Sequence, residues 1–150
     1  MTPLAAPAWL VAALLAAVSA SAAAAEFRSI AESAAVLYDA PSSRATKLYV
    51  IGRSYPVEII VVVEGWTKIR DAQGELAWIE TKSLSDRRTV MVKASRVAIR
   101  QAADDKAPIA FQAEQNVLLD LNEVTGTGWV RVTHRDGESG YIRASQVWGI

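Results

Sequence analysis

Beyond residue 25, apolar and polar side chains alternate with a period of two over most of the chain. That spacing places successive residues on opposite faces of a strand. Val117, Leu119 and Leu121 alternate with Leu118, Asp120 and Asn122, and Val130 and Val132 alternate with Trp129 and Arg131. Thr125 to Gly128 breaks the pattern. Arg135-Asp136-Gly137 supplies a hairpin turn, because Asp-Gly accepts the positive φ that tight turns demand. Gly140 to Arg143 then returns antiparallel, and Ala144 to Val147 reads as a single short helical turn. The same plan is written once before, with strands over 57–63, 66–70 and 77–80 and a helical turn at Lys82-Ser83-Leu84. Turns at Glu64-Gly65 and Ala72-Gln73-Gly74 separate them. Ala35 to Tyr38 and Val97 to Arg100 open the two copies, each followed by a polar loop.

In places the repetition is nearly literal. Gly65-Trp66-Thr67-Lys68-Ile69-Arg70 is answered by Gly128-Trp129-Val130-Arg131-Val132-Thr133, a shift of 62 to 63 residues. A period of that size is too long for one solenoid repeat and suits a whole small barrel. The expected architecture is therefore all-β: two tandem five-stranded barrels over 26–88 and 89–150, with no long helix. Units this small are marginal alone, so the two are expected to pack on each other. One strand departs from alternation. Ile59 to Val63 is apolar at every position, which predicts burial on both faces, over the junction between the barrels or in a dimer interface.

Residues 1–25 carry no charged side chain and are rich in alanine, with an apolar stretch from Ala8 to Ser19 and small-residue cleavage sites near Ala25. This reads as a secretory signal peptide, with an uncleaved membrane anchor as the rival reading. Cysteine is absent, which excludes a lipoprotein anchor, a disulfide framework and a thiol nucleophile. Lys and Arg balance Asp and Glu nine to nine over 26–88 and seven to seven over 89–150. Neither half has the positive excess that phosphate contacts require, so nucleic acid is not an expected partner.

The single histidine, His134, opens a hairpin turn and reads as a solvated turn residue rather than a catalytic base. No spacing assembles carboxylates around it, so no metal, cofactor or enzymatic activity is expected. The aromatics are better candidates for binding. Trp66 shares a strand face with Lys68 and Arg70, and Trp129 shares one with Arg131. With the intervening aliphatic residues pointing inward, these indoles would point outward beside cationic groups, an arrangement suited to a peptide or sugar. The competing reading has each tryptophan covering a barrel end or sealing the contact between repeats. Trp78, Tyr141 and Trp148 read as packing residues. Tyr38, Tyr49 and Phe111 lie near the variable loops, where they could rim a groove.

The succession of Gly-Trp, a basic–apolar strand, a glycine turn, an aromatic-Ile pair and a helical turn resembles bacterial SH3-like (SH3b) domains. Tyr55-Pro56-Val57-Glu58-Ile59-Ile60, Arg88-Thr89-Val90 and the terminal Val147-Trp148-Gly149-Ile150 further resemble a family of exported proteobacterial proteins made of a leader and two such domains. The resemblance implies SH3-like barrels and a non-catalytic periplasmic module that contacts peptidoglycan or its peptides. It also admits a scaffold that assembles with another envelope protein. Membrane contact would come only through the leader, if uncleaved.

Overall fold

The computed structural model describes residues 23–150. The signal segment expected over 1–25 lies, through residue 22, outside the described residues. The chain forms two seven-stranded antiparallel sheets, one per repeat, each wrapped around its own core. The first contains β1 (Phe27–Ile30), β2 (Ala34–Tyr38), β3 (Lys47–Gly52), β4 (Pro56–Val63), β5 (Trp66–Arg70), β6 (Leu76–Glu80) and β7 (Leu84–Ser85). Their ladder runs in the order β3-β2-β6-β5-β4-β1-β7. The second contains β8 (Thr89–Val92), β9 (Arg96–Arg100), β10 (Ile109–Glu114), β11 (Leu118–Val124), β12 (Trp129–Thr133), β13 (Ser139–Arg143) and β14 (Val147–Trp148), paired in the same order. Each barrel thus adds two short strands, at its entry and exit, to the five expected. One-turn helices at Thr81–Ser83 and Ala144–Gln146 link the last two strands of each sheet.

The aliphatic residues of the alternating runs fill the two cores. Ile30, Leu37, Val57, Ile69 and Ile79 line the first, and Val92, Ile99, Leu119, Val132 and Ile142 stand at the matching places in the second. Gly140 occupies the site of Ala77 because a Cβ there would lie 2.6 Å from the Arg100 carbonyl oxygen.

The barrels are joined by residues at which the copies differ. Trp148, where the first repeat has Ser85, donates its indole N–H to the Pro56 carbonyl at 3.0 Å and packs edge-on against Phe27. Thr89, the counterpart of Phe27, donates its hydroxyl to the Ser54 carbonyl at 2.6 Å. Gly149 closes the seam at φ 122°, where an added Cβ would meet the Thr89 carbonyl and the Pro56 ring.

For Ile59 to Val63 the expectation of burial over the junction between the barrels is corrected. Ile60, Val61, Val62 and Val63 are 39–57% exposed, and only the start of β4, at Pro56, reaches the seam. Along β4, β1 pairs with Pro56 to Glu58, and a bulge between Ile59 and Val61 shifts the register, so the rest of β4 runs out beyond β1's cover. The β-branched run suits a strand conformation, and within the chain it is left uncovered on both faces.

A candidate binding cleft at the seam

The residues singled out from the sequence do not form one site. On the first barrel Tyr38 and Trp66 meet edge-on with ring centroids 5.4 Å apart, and the Lys68 ammonium lies 6.0 Å from the Trp78 ring. This is a local cluster with a half-buried indole, and a small recess of about 170 Å³ beside Tyr38 also borders Glu80 and Lys82. Arg70 is committed to Glu58 at 2.6 Å. Arg131 is exposed on the second barrel. Trp129 fits the covering reading rather than the outward one: it is only 7% exposed, with the Arg143 guanidinium 4.7 Å from its ring centroid. Arg143 is held there by Asp105, so the ring face that a ligand would stack on is already occupied.

Tyr49 and Phe111 are equivalent positions, facing Leu37 and Ile99 across their strand pairs, and both lean toward the β5–β6 or β12–β13 hairpin. Their partners differ. Asp71 heads the first hairpin, 5% exposed, and accepts hydrogen bonds from the Gln73 and Glu75 amides and from the Tyr49 hydroxyl, all at 2.9–3.0 Å. Burial, and then the bond to Asp71, push the Tyr49 phenol well above its ordinary value. Tyr55 closes over the same turn: its hydroxyl accepts from the Ala72 amide at 3.0 Å and donates to Gln73. Burial raises the Tyr55 phenol as well.

In the second barrel His134 stands in place of Asp71, and Val117 in place of Tyr55. Matching backbone bonds fix the correspondence. The Tyr55 amide donates to the Gly52 carbonyl as Val117 donates to Glu114, and Asp71 pairs with Glu75 as His134 pairs with Glu138. The missing phenol ring leaves space. A cleft of about 780 Å³ opens there, with Val117 and Leu118 contributing apolar surface.

The first barrel supplies the opposite wall through Arg53 and Ser54, the connector supplies Arg87, and β8 supplies Thr89. Arg87 is drawn in by Asp120 at 2.6 Å. Asp120 is free to take it because its own cross-strand neighbour is Thr133, where the first barrel has Arg70. Arg135 completes the rim from the hairpin.

His134 lines this cleft rather than standing clear in solvent; its side chain is 27% exposed. Its Nδ1 lies 2.9 Å from Asp136 Oδ2, and its ring tilts toward Phe111 at 6.2 Å. The Glu138 amide, and then His134, hold the Asp136 carboxyl below the usual carboxylate range. The lining presents three guanidinium groups against one carboxylate, in a chain whose formal charge is zero. Two of the threonine hydroxyls there are engaged: Thr89 with the Ser54 carbonyl, and Thr133 with Asn122 at 2.7 Å. Among the described residues no group of three or more His, Asp or Glu side chains could hold a metal ion. Of the eight residues proposed from the sequence none lines the cleft, and Phe111 lies beside one residue that does, His134. The available signal was the mismatch between copies, Tyr55 against Val117 and Asp71 against His134, together with the arginines at 53, 87 and 135.

Comparison with known proteins agrees with the architecture. The bacterial SH3 domain profile matches residues 31–86 and again 93–149. No curated relative matches the chain. Among solved structures it is similar to NlpC1 from Trichomonas vaginalis, at 18% identity and a TM-score of 0.40, covering 88% of this chain and 48% of that one. It is also similar to NlpC2 from the same organism, at 17% identity and a TM-score of 0.38 over 84% of this chain and 48% of that one. An NlpC/P60 family protein from Bacillus cereus aligns at 15% identity and a TM-score of 0.38, over 82% of this chain and 56% of that one. The chain spans about half the length of these structures. With both repeats matched across most of its length, the chain belongs to the bacterial SH3 domain family.

Proposed function

We propose that the chain is a non-catalytic binding module of the cell envelope, exported through its leader to the periplasm, and that it holds a cell-wall peptide in the cleft between its two barrels. The observation that carries this reading is the cleft itself, which needs walls from both bacterial SH3 domains and is large enough for a short peptide. The chemistry of the lining supports binding over turnover. The chain has no cysteine, its one imidazole is tied to Asp136, and the Thr89 and Thr133 hydroxyls have partners. The test is retention of the purified chain on purified peptidoglycan, compared with Val117→Tyr. That substitution installs the ring that fills the equivalent space in the first barrel. Wild type retained and V117Y released at least tenfold more readily, with unchanged thermal stability, is the expected result. Equal retention would move the site elsewhere.

A second reading is favoured by one observation. Ile60 to Val63 present four consecutive exposed β-branched side chains, where the second barrel has Asn122, Glu123, Val124 and Thr125. Such a patch suits docking of an envelope protein. Val62→Asp should then abolish crosslinks to a partner in cells while leaving retention on peptidoglycan intact; unchanged crosslinks would remove this reading.

A further inference from the structure

We infer that the seam cleft is a carboxylate-recognition site, in which Arg53 and Arg135, from opposite barrels, grip the free carboxylate of a short peptide whose small apolar side chains rest on Val117 and Leu118. This assignment rests on the cleft being where the chain binds, and it adds the ligand's chemistry and the groups that read it.

The three cleft arginines are not equally available. Arg87 has one nitrogen committed to Asp120 at 2.6 Å. Arg53 has only a long bond to the Ser33 hydroxyl, at 3.3 Å, and is exposed. Arg135 has no side-chain partner among the described residues. Two planar guanidinium groups with free N–H edges, one on each wall, match the two oxygens of a carboxylate. Arg87 is paired with Asp120, so the free positive charge of the cleft is that of Arg53 and Arg135. His134 adds a further polar contact: with Nδ1 facing Asp136, its Nε2 has no protein partner among the described residues. A polyanion is a poorer fit. Two free cations above an apolar floor would neutralise few phosphates, and the chain as a whole carries no positive excess to attract them. Because the two grips come from different barrels, the site exists only while the Trp148 and Thr89 bonds hold the seam closed.

The experiment is calorimetric titration of the purified chain with acetyl-D-alanyl-D-alanine, with the same dipeptide as its carboxamide, and with inorganic phosphate. It is repeated on Arg53→Gln, Arg135→Gln and the double variant, with thermal melts to verify folding. Both positions are on the surface, so the variants should fold. The acid should bind at least tenfold more tightly than the amide. The double variant should lose that tenfold preference, and added salt should weaken the acid alone. Equal binding of acid and amide, or an unaltered preference in the double variant, overturns the inference. Phosphate binding as tightly as the dipeptide acid overturns its peptide part. If the dipeptides fail to bind while peptidoglycan still retains wild type and not V117Y, the carboxylate assignment falls and the cleft reading stands. If retention is lost as well, both fall.

Discussion

The two barrels solve the same turn with different chemistry. In the first, the β5–β6 hairpin is closed from inside: Asp71 sits in the barrel end, bonds two amides of its own turn, and is met by Tyr49 while Tyr55 covers the approach. In the second, the carboxylate has moved two positions along the turn to Asp136, outside the barrel. There it takes the Glu138 amide at 3.0 Å, as Asp71 takes that of Glu75. The vacated inner position holds His134, the phenol of Tyr49 becomes the ring of Phe111, and Tyr55 becomes Val117. The backbone is the same in both, down to Ser54 and Asn116, which both adopt φ 69°. A few side chains therefore separate a sealed end from an open one, and the open end is the one that faces its neighbour across the seam.

The sharpest way to break this comparison is to remove the inner group from each hairpin. Asp71→Ala strips acceptors from two backbone amides and a phenol at a site that water reaches poorly. It should cost roughly 3 kcal/mol of stability in a urea titration. His134→Ala should cost less than about 1 kcal/mol, because backbone bonds and Asp136 close that turn without the imidazole. Similar losses from the two variants would mean that the second hairpin depends on its inner residue as much as the first.

The alternation of Val130 and Val132 with Trp129 and Arg131, and the Gly-Trp repeats, were enough to read the barrels, because strand periodicity and turn chemistry are local properties. The seam was not legible in the same way. Trp148 pairs with Pro56 over 92 residues of sequence, a contact that no local pattern encodes. For a related reason the sequence leaves Trp129 open between an outward indole and a covered one. Period-two logic gives the face a residue points to, and its face was read correctly as opposite Val130, but Arg143 and Asp105 from elsewhere in the chain cover it. Ile60 to Val63 leave the barrel junction uncovered, because composition cannot say where a neighbouring strand stops. A cleft is a difference between surfaces. Its trace in the sequence was a set of mismatches between repeats, most visible when Tyr55 is laid on Val117.

A finer cut makes the first hairpin resemble the second by one atom. Tyr49→Phe removes the hydroxyl that Asp71 accepts and leaves the ring, as Phe111 has it. The expected cost is about 1.5 kcal/mol at neutral pH, that of one hydrogen bond to a charged group. Its pH dependence is more telling. The folded Tyr49 phenol holds its proton beyond the point where an unfolded tyrosine, near pH ~10, gives its own up. Stability that depends on it is fully present below that pH and declines as the pH rises further, since ionisation then favours the unfolded chain. Wild type should accordingly lose stability between about pH 10 and 11, and Y49F should lose less over the same range. Tyr55, also raised, remains in the variant and preserves part of the slope. Parallel curves for the two proteins would mean that the Tyr49–Asp71 contact is not what distinguishes the sealed end, and would leave the bulk of Tyr55 as the feature that closes it.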